Sequence, residues 1–373
     1  MALGFCEQGL LVASSEFVLK SSPVRRSLEQ RLADDIRSSL TRAGFRDFKI
    51  ERRAARILVR GIPDTYRAAS IVGKVFGIAY AAPVDIVPGR LDEVLQAVVK
   101  IADENLVRGE SFAIRSRHST ISQLSRKEIE TRGGAEVLRR LADRQVLVDL
   151  KNPDLLISID TADDLALIYR DRTLGPGGLP LSSRWRMIVV LDSGVFAILA
   201  AVAMMRRGCF VEPFIPTSHH DSEFAEETQL SLAKLLRGLV PRSQYFGYLV
   251  DLDASPKIVD TSGSKLSSVR RIAAQFGITN KFRGLVFSDI CGDISRVSRN
   301  YGLLPTFYPL LGLESEELSS LCDFAGISKQ ELNSQLTRHR DQNTPNVISD
   351  PIGSVCVDKI PLGVAEIHDH IAC

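Results

Sequence analysis

No two of the six cysteines in this 373-residue chain stand in a Cys-x-x-Cys pair, and Cys6, Cys209, Cys291, Cys322, Cys356 and Cys373 are scattered along its length. A chain this long does not need a disulfide framework, so a reducing, cytoplasmic setting is expected. No stretch reaches the roughly 18 consecutive apolar residues of a membrane span, and the N-terminus lacks a charged leader followed by an apolar run, so neither membrane spanning nor secretion is expected. His219-His220-Asp221 and His368-Asp369-His370 lack a third ligand spaced for zinc, so no metal site is expected. Charge of neither sign dominates: the net charge is +2. The balance is nonetheless uneven, with Lys and Arg against Asp and Glu at 28 to 24 in residues 1–180 and 19 to 21 in 181–373. Within residues 15–60 it is 12 to 6, an excess that suits a polyanion.

The length exceeds what one hydrophobic core supports, and a 45% hydrophobic, 25% charged composition is that of a globular protein with two or three domains. A strand is expected from Gly9 to Lys20. Ser21-Ser22-Pro23 then supplies a helix cap and a proline for the first turn. Val24, Leu28, Leu32, Ile36 and Leu40 step by four along one face of the helix that follows. Strands over 48–52 and 56–60, a helix over 66–74 and a strand over 78–87 complete a βαββαβ order. After Pro88-Gly89 come a helix (91–107), a strand (111–117), a basic helix (125–144) and two strands (155–160 and 166–170). In the first of these strands, alternation buries Phe112 and Ile114 and presents Arg115 and Arg117 on the other face. The Gly- and Pro-rich stretch 174–183 reads as a linker. Beyond it, apolar strands (187–191, 210–215, 245–250, 285–287) alternate with helices (197–207, 222–237, 264–276), which implies a parallel sheet covered on both faces. The tail 342–373 is poorly patterned.

Residues 186–207 form a strand, a small-residue turn and a helix, the layout in which backbone N–H groups and a helix N-terminus converge on a phosphate. The turn Asp192-Ser193-Gly194-Val195-Phe196-Ala197 has one glycine, no lysine, and apolar residues where polar ligands belong.

Several stretches together resemble the ThiI family, the tRNA 4-thiouridine sulfurtransferases. Glu16-Phe17-Val18-Leu19-Lys20 with Pro23-Val24-Arg25-Arg26 resembles the opening of the family's ferredoxin-like domain. Ser111 to Arg117 and then Val148 to Asp154 are similar to the THUMP domain, an RNA-binding module. Gly175-Pro176-Gly177-Gly178-Leu179-Pro180-Leu181 and Met204-Met205-Arg206-Arg207-Gly208 match the family on either side of the turn. The resemblance implies an α/β protein in three parts: a ferredoxin-like α+β domain (1–75), a THUMP domain (76–173), and a doubly wound parallel-sheet PP-loop domain (184–373) of the adenine nucleotide alpha hydrolase type.

In such a family the last domain adenylates a tRNA uridine on a Ser-Gly-Gly-x-Asp-Ser loop, and a persulfide cysteine delivers sulfur. Here Asp192, Ser193, Gly194, Val195, Phe196 and Ala197 hold those places, and only the second glycine remains. Asp192 is expected to repel a triphosphate, and Phe196 to put bulk where a carboxylate organises magnesium. Downstream, Asp289 is a remnant of a second family motif, and the Lys-Arg signature before Arg271-Ile272-Ala273 is replaced by Ser267 and Ser268. ATP and magnesium are the cofactors the resemblance implies, and these departures argue against both. Cys356 falls near the family's persulfide cysteine, but in a loose motif it reads more readily as a buried structural thiol. Lys20, Arg25, Arg26, Arg115, Arg117, Arg126, Lys127, Arg132 and Lys151 are the candidate phosphate contacts. Two functions follow: a tRNA-binding relative impaired in adenylation, working with a sulfur donor or catalytic partner, or an active sulfurtransferase with an atypical loop. A third reading makes the last domain a dimer or partner surface.

Overall fold

The computed structural model describes residues 7–14, 20–53, 56–118, 125–162, 164–192, 194–241, 245–254, 265–289, 304–334 and 358–361. The chain divides into two compact units, Met1–Lys74 with Ile78–Gly177, and Val75–Gly77 with Gly178–Cys373. Among the described residues no helix is long and apolar enough to cross a membrane.

The first unit opens with β1 (Glu7–Ser14), α1 (Ser22–Arg42), β2 (Lys49–Arg53), β3 (Arg56–Arg60), α2 (Thr65–Val72) and β4 (Ile78–Pro88). It continues with α3 (Leu91–Asn105), β5 (Ser111–His118), α4 (Arg126–Arg140), β6 (Leu147–Val148), β7 (Leu155–Ala162), β8 (Leu165–Tyr169) and β9 (Thr173–Leu174). The described part of the first strand runs from Glu7 to Ser14, and residues 15–19 of the expected strand lie outside the described residues. On α1 the four-residue step buries Leu28, Leu32, Ile36 and Leu40, whereas Val24, in the first turn, stays 48% exposed. Ser21 sits at the cap position, but its side chain makes no capping bond; its carbonyl instead accepts from the Arg25 N–H at 2.8 Å.

All nine strands join one sheet in the order β2-β3-β1-β4-β8-β7-β5-β6, with β9 against β4. The eleven-residue β4 makes this possible, because it pairs with β1 on one side and with β8 and β9 on the other. A buried polar network also crosses the sheet. Arg56 Nε on β3 donates to Asp160 on β7 at 3.1 Å, Tyr169 donates to the same carboxylate at 3.3 Å, and the Tyr80 and Tyr169 hydroxyls lie 3.2 Å apart. Helices α3 and α4 cover Phe112, Ile114, Ile157 and Ile159, the apolar face of β5 and β7.

The second unit contains β10 (Ser182–Val190), α5 (Val195–Arg206), β11 (Cys209–Thr217), α6 (Glu226–Leu239), β12 (Phe246–Asp251), α7 (Lys265–Thr279), β13 (Gly284–Val286), β14 (Thr306–Phe307), α8 (Ser315–Ala325) and β15 (Asp358–Pro361). Its sheet order is β14-β13-β10-β11-β12-β15, parallel except for β15. Strand β10 is central and splits its side chains by parity. Met187, Val189 and Leu191 pack with α5, α6 and α8, while Ile188 and Val190 pack with α7. Residues buried on both faces explain why the strand reads as a continuous apolar run. The stretch expected as a linker contributes β9 and the start of β10, and its turn is tight: a Cβ on Gly178 (φ +70°) would sit 2.0 Å from the Arg206 carbonyl oxygen.

Candidate nucleotide pocket and nucleic-acid surface

In an open parallel sheet the ligand crevice lies beyond the carboxyl ends of the strands, where the connections diverge to opposite faces. Here β10 feeds α5 on one face and α7 precedes β13 on the other, so the divergence falls between β10 and β13. Asp192 follows β10, and Ser288 and Asp289 follow β13, which brings three polar residues to one place from two distant stretches of sequence.

Arg270 of α7 closes the group. Its Nε donates to Asp192 Oδ2 at 2.8 Å, its Nη1 lies 3.0 Å from Asp289 Oδ2, and its guanidinium stacks 4.5 Å over the Phe287 ring. Ser288 Oγ donates to the other Asp192 oxygen at 3.3 Å. The Asp192 side chain is fully buried and that of Arg270 is 8% exposed. Asp192 is therefore not the bare charge expected to repel a triphosphate; its charge is matched from within the chain. Sequence reasoning passed over Arg270. The signal was a charged residue on the stripe of α7 that buries Val269, Ile272 and Ala273.

The turn itself is held by Gly194, at φ +58° and ψ −130°, a region open to glycine alone. Its placement of α5 is dictated by burial, because Val195 to Met205 are all buried. Phe196 and Ala197 are fully buried in the core formed with α6 and α8, not directed into the crevice. Ser193 and Cys356 lie outside the described residues. Nearby, Asp253 organises the end of β11: its carboxylate accepts from the His219 N–H at 2.6 Å and from Ser218 Oγ at 3.0 Å. No group of three metal-binding side chains occurs among the described residues.

The candidate phosphate contacts all lie on the first unit. Arg115 and Arg117 share the exposed face of β5, two residues apart. Beyond Phe112 the edge of β5 is no longer paired with β6, and α4 takes over its backbone groups. Glu130 accepts the Ser116 N–H at 2.8 Å, and Arg126 Nε donates to the Ser116 carbonyl at 3.0 Å. Arg115 donates to the Leu150 carbonyl at 3.0 Å, which brings the loop carrying Lys151 beside β5. Arg115, Arg117, Arg126, Lys127 and Lys151 thus gather around one strand end. Arg132 is paired with Glu128 at 3.1 Å, and Arg25 lies 3.8 Å from Glu29. Lys20, Arg26, Arg117, Lys127 and Lys151 are exposed and make no ion pair among the described residues. The sequence reading missed the apolar companion of this cluster: Leu147, Val148 and Leu150 are 61%, 50% and 68% exposed along the sheet edge.

A ThiI ferredoxin-like domain model matches residues 10–82 and a THUMP domain model matches residues 89–171. The chain is 26% identical over 335 residues to a probable tRNA sulfurtransferase of Methanobrevibacter smithii, covering 83% of this chain and 84% of that protein. A probable tRNA sulfurtransferase of Thermoanaerobacter pseudethanolicus is 26% identical over 333 residues, with 84% of each chain covered. Among solved structures, a protein from Pyrococcus horikoshii matches with a TM-score of 0.67 and 26% identity, covering 86% of this chain and all of that one. A 4-thiouridine synthetase–RNA complex with bound ATP matches with a TM-score of 0.68 over 85% of each chain; at 19% identity this is a likeness of fold.

Proposed function

We propose that this chain, which carries a ThiI ferredoxin-like domain followed by a THUMP domain, binds tRNA through its first unit and serves tRNA modification without turning over ATP. Phosphate contacts from Arg and Lys fix orientation on the nucleic acid without reading its sequence, which suits recognition of a folded RNA by shape. The cluster around the end of β5 has that chemistry. Its exposed cations flank exposed apolar side chains, and the Glu130 carboxylate beside them is turned to the Ser116 amide.

The observation that carries the second half of the reading is Arg270 bridging Asp192 and Asp289. A magnesium–nucleotide site needs carboxylates free to hold the cation and polar groups at the helix start to hold phosphate. Here both carboxylates already face a guanidinium, and the first turn of α5 sends Phe196 and Ala197 into the core. The residues present do not fit ATP and magnesium. Chemistry on the bound tRNA then falls to a partner protein, and Cys356 carries no sulfur.

Titration calorimetry of the full chain with ATP and magnesium tests this directly, beside a pyrophosphate-release assay with tRNA and sulfide. The expected result is no binding and no release. Turnover would overturn the reading. It would favour the second one, an active tRNA sulfurtransferase with an atypical loop, which draws support from Gly194 and from the activity named for the relatives. Replacing Cys356→Ser is expected to leave tRNA binding and cellular 4-thiouridine unchanged; loss of the modification with the protein still folded would restore the cysteine to a sulfur-carrying role.

A further inference from the structure

At the amino ends of the parallel strands of the second unit, two short segments of the same character stand side by side. Arg184-Trp185-Arg186 opens β10, and Lys281-Phe282-Arg283 leads into β13. Strands β10 and β13 pair from Met187 and Gly284 onward, and the Arg283 N–H donates to the Arg186 carbonyl at 2.8 Å, so the two segments are direct neighbours. One cation and one ring are used internally. The Arg186 guanidinium stacks 4.3 Å over the Phe282 ring and donates to Glu212 at 2.6 Å and to the Tyr248 hydroxyl at 3.2 Å.

The rest is turned outward. Arg184, Lys281 and Arg283 are exposed and make no ion pair among the described residues, and Glu212 is paired with Arg186. Trp185 is 59% exposed. Its exposure has a cause in the register of β10 against β11: Ser182 faces Cys209 and Arg186 faces Phe210, so residues 183–185 bulge out of the ladder. Bulges of this kind re-aim a side chain that a regular strand would bury. Seven residues of extended chain, about 23 Å at 3.3 Å each, separate Trp185 from Asp192, so this surface is distinct from the crevice at the other end of the sheet.

The geometry points to a second nucleic-acid contact here, in which an unpaired base of an RNA strand stacks on the Trp185 indole while Arg184, Lys281 and Arg283 take its phosphates. A flat exposed ring among cations matches single-stranded RNA, whose bases are free to leave the stack and whose backbone supplies the countercharge. The inference rests on the second unit's own residues and stands apart from RNA binding by the first.

Trp185 is the chain's single tryptophan, so its fluorescence reports on this surface alone. The full chain is titrated with a short oligouridylate at low salt, with polyglutamate as the acidic control. The oligonucleotide is expected to quench the indole saturably. The triple variant Arg184→Ala, Lys281→Ala, Arg283→Ala, checked for folding by circular dichroism, is expected to bind at least about tenfold more weakly. Its salt dependence should flatten by about 2 in slope, from about 0.7 per single-strand phosphate. No quenching, or quenching unchanged in the triple variant, would overturn the proposal. Polyglutamate competing as well as the oligonucleotide would also overturn it, in favour of an acidic protein partner. If filter binding shows tRNA held by the chain while Trp185 remains unquenched, this inference fails and the tRNA-binding reading of the first unit stands.

Discussion

Replacing Arg270→Met removes one partner of a buried ion pair and takes the guanidinium away from the Asp192 carboxylate. The Asp192 side chain has no solvent to turn to, and the Ser288 hydroxyl that donates to it at 3.3 Å carries no charge. Breaking a buried pair by removing one partner costs about 3–5 kcal/mol, far more than the pair contributes against an apolar replacement of equal volume. For a unit of this size, at about 2–4 °C per kcal/mol, the melting transition of the second unit should fall by about 6–20 °C. The double variant Asp192→Asn with Arg270→Met leaves no charge at the buried position 192, only the part-exposed Asp289 carboxylate that Arg270 also held, and should recover part of that loss. Urea unfolding of the two single variants and the double, followed by circular dichroism, gives the coupling energy directly. An Arg270→Met variant destabilised by less than about 1 kcal/mol, in the range of surface pairs, would refute the claim that these charges are held in a dry crevice. A double variant no more stable than Arg270→Met would refute the pairing itself.

Arg117→Ala should weaken tRNA binding and lower the salt slope by about 0.9 for one duplex phosphate contact; a filter-binding curve unchanged at every salt would remove Arg117 from the surface. Arg115→Ala should do the same and also loosen the 149–152 loop by losing its bond to the Leu150 carbonyl, visible as faster amide exchange there; unaltered exchange would contradict that bond. Burial pushes the Cys209 thiol up to about 11, so at pH 8 its peptide should resist iodoacetamide until urea is added, and prompt labelling of the folded protein would count against its burial. The Asp154 carboxyl accepts from Ser111 Oγ and the Ser111 N–H at 2.7 and 2.8 Å, which holds it below its ordinary value of 3.8. A depressed carboxyl contributes its contact above the ordinary value and loses it as pH falls through the depressed one, so the Ser111 amide signal should titrate with a midpoint below 3.8; a midpoint at or above 3.8 would show that the contact does not form.

Periodicity made much of this fold legible from residues alone. The four-residue step of Leu28, Leu32, Ile36 and Leu40 sets α1, and the apolar run from Met187 to Leu191 sets a strand buried on both faces. The alternation in 111–117 by itself sets Arg115 and Arg117 on the outer face, where both are exposed. Helix α8 was passed over: Leu318, Leu321, Cys322 and Ala325 follow a helical spacing, but its cap is Glu314 with Glu317, not the serine or threonine that marks a helix start in sequence.

What the sequence could not decide was which charges meet. Asp192 reads as a lone acid in a turn and Arg270 as one of several basic residues on a helix 78 positions away. Only the parallel pairing of β10 with β13, and the packing of α7 against the face made by Ile188 and Val190, brings them within 2.8 Å. The same holds for Arg184, Trp185, Lys281 and Arg283, which no linear spacing connects. Local periodicity is fixed by backbone geometry repeating every few residues, and so it is written along the chain. The partners of a buried charge are fixed by strand order and by the two faces of a sheet, and those exist only once the chain has folded.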